Sequence, residues 1–107
     1  MNYNEKLELY IKAVEMAGFT KKGKTMPYTS ANGHMFSLLN KDGELGIRFS
    51  KEDQEKYISK LKTTTFKSHG ATMRGYILMP DKMWSTLKPL AKYLQESHSY
   101  VMSLDPK

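Results

Sequence analysis

The stretch Gly18-Phe19-Thr20-Lys21-Lys22-Gly23-Lys24-Thr25 satisfies the phosphate-loop expression G-x-x-x-x-G-K-[ST] at every fixed position. That loop presents successive backbone N–H groups and a helix N-terminus to phosphate oxygens, so it requires a strand before it and a helix after it. Here the order is reversed. Helical spacing precedes Gly18, and Met26-Pro27-Tyr28 follows as extended chain, because Pro27 biases Met26 away from helix. No Asp closes a buried apolar strand to complete a magnesium site. The stretch reads as a basic connection from a helix to a strand.

The other residue types that carry chemistry are equally unpromising for catalysis. His34, His69 and His98 show no metal-ligand spacing, and there is no cysteine to join them. His98 reads as a packing histidine, His34 and His69 as neighbours of turn glycines. Ser68-His69 is adjacent in sequence, which is not the geometry of a triad, and no G-x-S-x-G elbow exists. Glu52, Asp53 and Glu55 belong to a capped helix start rather than to an acid–base pair. No catalytic residue, cofactor site or metal ligand is predicted, and the expected class is non-enzymatic.

Charge points to anionic partners. Seventeen Lys and Arg against eleven Asp and Glu give a net charge of +6. Almost all of it is lysine: Arg48 and Arg74 alone supply the planar fork that grips phosphates and bases. The candidate nucleic-acid-binding set is Lys21, Lys22, Lys24, Arg48, Lys67 and Arg74, with Tyr28 and Tyr76 nearby. No helix-turn-helix or RNA-recognition stacking motif accompanies it. Met26, Met35, Met73, Met79 and Met83 fall at strand or helix positions where they fill core.

The elements that must position these residues follow from periodicity and turn chemistry. Tyr3, Leu7, Tyr10, Ile11 and Val14 recur at helical spacing, with a stop at Gly18. Asn32-Gly33 and Asp42-Gly43 tolerate positive φ and predict two hairpins in series, with Leu45, Ile47 and Phe49 alternating as a half-buried strand. Ser50 caps a second helix carrying Tyr57, Ile58 and Leu61, which ends near Thr63. A second strand pair turns at His69-Gly70, and Pro80-Asp81 opens a short turn holding Met83 and Trp84. A last helix runs from about Pro89, with Leu87, Leu90, Ala91, Leu94, His98 and Val101 on one stripe. The expected fold is α+β: a two-layer sandwich in the order α-β-β-β-α-β-β-α, with an antiparallel sheet of about five strands and helices packed on it.

A chain of 107 residues has room for one domain, residues 1–107, and buries enough surface to fold without disulfides or metal. Its lack of cysteine argues against a small secreted scaffold, and no export signal or apolar run of membrane-spanning length is present, so a cytoplasmic address is expected.

The run His69-Gly70-Ala71-Thr72-Met73-Arg74-Gly75-Tyr76-Ile77-Leu78-Met79-Pro80 has the form G-x-x-M-[KR]-x-Y-x-x-x-P. Gly33-His34-Met35-Phe36, Lys41-Asp42-Gly43-Glu44-Leu45 with Arg48, Tyr93-Leu94, Ser97-His98-Ser99-Tyr100 and Ser103-Leu104 accompany it. Over nearly its whole length the chain thereby resembles the TfoX/Sxy N-terminal-domain family, with Gly70, Met73, Arg74, Tyr76 and Pro80 as motif positions. One departure is Met26-Pro27-Tyr28, where that family commonly has a Met-Phe-Gly type of segment. The resemblance implies an antiparallel sheet with helices against it and, in longer relatives with a second domain, a link to regulation of DNA uptake and competence. It implies no catalytic residues.

Three functional readings follow, in order. The first is a module that binds a macromolecular partner, a protein or a second copy of itself as a homodimer. The second is direct nucleic-acid binding through the lysine-rich face. The third is a small-molecule binder or enzyme with a pocket that uses Arg74 and Tyr76 as anion and hydroxyl contacts.

Overall fold

The first helix, α1 (Tyr3–Met16), is fixed at its start by a reciprocal capping box. The Asn2 side chain accepts from the Glu5 N–H, and the Glu5 carboxylate accepts from the Asn2 N–H. Strands β1 (Tyr28–Ala31) and β2 (His34–Leu39) are joined by Asn32-Gly33 at φ 56° and 79°, the two positive values that a tight two-residue hairpin needs. The turn into β3 (Leu45–Arg48) is organised by buried Asn40. Its side-chain oxygen accepts from the N–H groups of Asp42 and Glu44, and its amide donates to the Lys67 carbonyl.

Helix α2 (Lys51–Leu61) starts on Ser50, whose hydroxyl accepts from the Asp53 N–H, and stops at Lys62 in the left-handed region. Strands β4 (Thr65–Ser68) and β5 (Ala71–Leu78) turn at His69-Gly70, again with two positive φ values. A short 3-10 turn, Asp81–Ser85, buries Met83 and Trp84 before α3 (Leu87–Met102). Pro89 lies in the first turn of α3, where its missing N–H leaves no bond unmade. The computed structural model describes all residues 1–107.

The five strands form one antiparallel sheet in the order β1-β2-β3-β5-β4, and the element order is the α-β-β-β-α-β-β-α expected. One face carries the helices: Tyr10 and Val14 of α1, Tyr57 of α2 and Leu90, Leu94 and Val101 of α3 share a core with Leu39, Leu45, Ile47 and Ile77. A bulge enriches that face. Thr29 pairs with Ser37 and Ser30 with Met35, so Phe36 is an extra residue in β2. Phe36 and Ser37 thus both contribute to the helical side. Phe36 meets the rings of Phe19 and His98, which stack on each other at 4.6 Å, so His98 packs by stacking. Ser37 meets the Tyr10 hydroxyl at 2.6 Å and the Thr29 hydroxyl at 2.5 Å, a fully buried trio.

The opposite face has no helix. It is closed by a smaller cluster of Leu38, Phe66 and Tyr76, with Met26, Tyr28, Met35, Met73 and Leu78 around it. Phe66 reaches from the edge strand β4 across β5 and lies on Gly46 of β3, where a Cβ would collide with its ring. Met79 and Met83 fill the main core, while Met26, Met35 and Met73 seal the second cluster. No helix is long and apolar enough to cross a membrane.

Two outcomes test this packing. Gly46→Ala should lower stability by about 1–3 kcal/mol, because Phe66 has no room to retreat, and urea unfolding measures it. Burial pushes the Tyr10 phenol above its ordinary value. The folded chain therefore holds that proton to higher pH than the unfolded chain, so stability falls as pH rises past about 10, where the free phenol ionises. Thermal melts across that range should show a shallower decline for Tyr10→Phe, whose Ser37 and Thr29 hydroxyls still pair.

Candidate functional site

The site is built where β3 ends against β5. Arg48 pairs with Tyr76, and the next N–H, that of Phe49, donates to the Gly75 carbonyl at 2.9 Å. On the other side of β5 the ladder breaks: Thr65 pairs with Ile77 but Lys67 with Thr72, so two steps of β4 span five of β5. The surplus residues form a wide bulge in which Gly75 takes φ +85°, a conformation closed to most L-residues. Arg74 lies in this bulge, exposed, beside the end of β3 that carries half-buried Arg48.

Two helices complete the surroundings. Ser97, buried on α3, places its hydroxyl on the carbonyls of Phe36 and Arg48, which pins α3 to β2 and β3. Nearly one turn further on, the Tyr100 ring faces the Arg48 guanidinium at 5.7 Å, within cation–π range. Gln54 of α2 donates to the Tyr76 carbonyl at 3.0 Å and holds the helix start, with Lys51, beside the bulge. The result is a cleft of about 480 Å³ with Arg48, Arg74 and Lys51 as its cations and Phe49, Gln54 and Tyr100 as its neutral walls.

No carboxylate answers these charges. The ion pairs of the chain are Lys6–Asp81 at 3.8 Å and Lys56–Asp53 at 3.6 Å, and neither involves an arginine. Two guanidinium forks with free donors are suited to planar, bidentate recognition of a phosphate or carboxylate. The lining holds no carboxylate, imidazole, thiol or aliphatic hydroxyl.

The six basic residues singled out from sequence divide among separate places. Arg48 and Arg74 share the cleft. Lys67 lines a different depression together with Asn40, Asp42 and Glu44. Lys21, Lys22 and Lys24 lie in the α1–β1 connection, where the Lys21 ammonium donates to the Gly23 carbonyl and the Lys22 ammonium to the Ser30 hydroxyl. That connection is entered from α1 and left through β1, so the phosphate-loop stretch lacks the helix N-terminus its chemistry requires. Tyr76, expected to line a pocket with Arg74, instead faces the small cluster and donates to the Met35 carbonyl at 2.9 Å. Burial raises its phenol above the ordinary value, with the Arg48 charge opposing the rise.

Of the other motif positions, Gly70 makes the hairpin turn, Met73 packs on the small cluster and Pro80 leads into the 3-10 turn. No three His, Cys, Asp or Glu side chains lie close enough together to hold a metal ion. Lys51 and Gln54 were not singled out from sequence; their only signal is their place in the first turn after the Ser50 cap. No model of a known protein family matches the chain, and no curated protein matches it significantly.

Gly75 is the position on which this geometry can be tested. A Cβ there would lie 3.4 Å from both Arg48 Cγ and the Phe49 carbonyl oxygen, at a φ it disfavours. Gly75→Ala should cost about 1–3 kcal/mol in urea unfolding, whereas Arg74→Ala, at an exposed position, should stay within about 0.5 kcal/mol.

Proposed function

We propose that this chain is a non-enzymatic binding module that takes an anionic group of a macromolecular partner in the cleft between Arg48 and Arg74. The observation that carries the reading is the convergence of the chain's two arginines on one cleft with no carboxylate in salt-bridge reach. The lining has no carboxylate, imidazole, thiol or aliphatic hydroxyl, which favours binding over turnover. The antiparallel sheet with helices on one face agrees with the fold implied by the TfoX/Sxy resemblance, and we place the chain with that type as a cytoplasmic domain. A part in regulating DNA uptake would then be exercised through the partner bound at this cleft.

Having only two arginines makes the test direct, since each contributes one side-chain Nε–H signal to a nitrogen-edited NMR spectrum. Titration with inorganic phosphate should shift both signals together with the Lys51 and Gln54 amides, and Arg48→Ala/Arg74→Ala should abolish the response. Shifts confined to the loop bearing Lys21, Lys22 and Lys24, or no shifts at all, would overturn the reading.

A further inference from the structure

A second cleft lies further along α2 and α3 from the anion cleft. On α2, Lys51 and Gln54 line the first cleft, and Tyr57 and Lys60, further along the same three-residue row, line a second of about 580 Å³. On α3, Tyr100 lines the first, while Tyr93, Lys92 and Lys88 line the second. Tyr93 and Tyr100 are a heptad apart and so share a face of the helix. The helices therefore run past each other in opposite directions, with cations at both ends.

Between the two clefts the helices meet over packed aromatic rings. Phe49 lines the first cleft and touches Tyr57 and Tyr93, edge to face, at centroid distances of 5.0 and 6.0 Å. Tyr57 donates to Glu96, joining α2 to α3. Both residues line the second cleft with Lys60, Lys88 and Lys92, and along α3 Glu96 lies between Lys88 and Lys92 on one side and Tyr100 on the other. At about 1.5 Å per helical residue, Tyr100 and Lys88 are about 18 Å apart along α3, a distance covered by about five or six residues of extended chain.

We infer that the two clefts together dock an acidic peptide segment of a partner protein, with carboxylates at its two ends and neutral side chains between them. This rests on the reading of the Arg48–Arg74 cleft as an anion site and adds the partner class and the second anchor. Charge complementarity selects the occupant: both ends carry cations, and the one carboxylate between them, Glu96, disfavours further negative charge there. Glu96 stands where a nucleic-acid strand, with a phosphate on every nucleotide, would place negative charge. A peptide with separated carboxylates leaves that position neutral.

Fluorescence anisotropy with the full chain tests this. The probe is a labelled peptide with paired glutamates at each end of about five neutral residues that include a central phenylalanine. A permuted peptide with all its glutamates adjacent and a labelled oligothymidine serve as comparisons. The spaced peptide should bind more tightly than the permuted one, and Arg48→Ala/Arg74→Ala and Lys88→Ala/Lys92→Ala should each weaken it by about tenfold or more. Circular dichroism of both variants establishes that they fold. Loss in the arginine variant alone would overturn the second anchor and leave the anion cleft standing. Equal binding of the two peptides, no peptide binding, or oligothymidine binding sensitive to both variants would overturn the peptide as occupant. Indifference to both variants would overturn the cleft as well.

Discussion

Much of the molecule depends on one backbone conformation, Gly75 at φ +85°. With Gly75 in that region, β5 gives its carbonyl to Phe49 on one side and absorbs surplus residues against β4 on the other. The bulge adds twist to the β4–β5 pair, and Phe66 of β4 lies across β5 on Gly46. The helix-free face is thereby closed without a further layer, and Arg74 is left outside the ladder. One glycine and the absence of a side chain at another thus join the shape of the sheet to the placement of its charge.

The helices supply what the sheet cannot. Ser97 places its hydroxyl inside the fold, on the Phe36 carbonyl of β2 and the Arg48 carbonyl that ends β3, and the register this imposes on α3 sets Tyr100 beside Arg48. Gln54 does the same for α2 through the Tyr76 carbonyl. The cleft is therefore held from three elements by bonds directed at main-chain atoms, which fixes Arg48 and Lys51 relative to each other more firmly than side-chain pairs would. The identity of the two cations that converge there also matters. A guanidinium presents several donors in a rigid plane and keeps its charge under all ordinary conditions, while an ammonium on a mobile stem offers only a point charge.

Where the chain turns was plain in the amino-acid order. Asn32-Gly33, Asp42-Gly43 and His69-Gly70 each carry their own local instruction, and together with Ser50 and Pro80 they divide the chain into the elements observed. What no local pattern contains is the order of strands in space. That β3 lies beside β5 rather than β4 depends on pairing across α2, and only this adjacency makes Arg48 and Arg74 neighbours. The bulge hides the rest: strict alternation cannot assign the sides of Arg74 and Tyr76 when surplus residues intervene, and Tyr76 goes to the small cluster. The loop lysines are conspicuous by composition, yet Lys21 and Lys22 donate to Gly23 and Ser30 within their own hairpin and loop.

The separation between the bulge and the main core has an evolutionary side. Residues 73–75 contribute nothing to the large cluster beneath the helices, which draws on β5 only at Ile77. Lengthening, shortening or recharging the bulge would move the guanidinium relative to α2 while leaving that core's composition untouched. Descendants of such a chain could drift from one recognition specificity to another by small insertions at a single place, with the scaffold inherited whole.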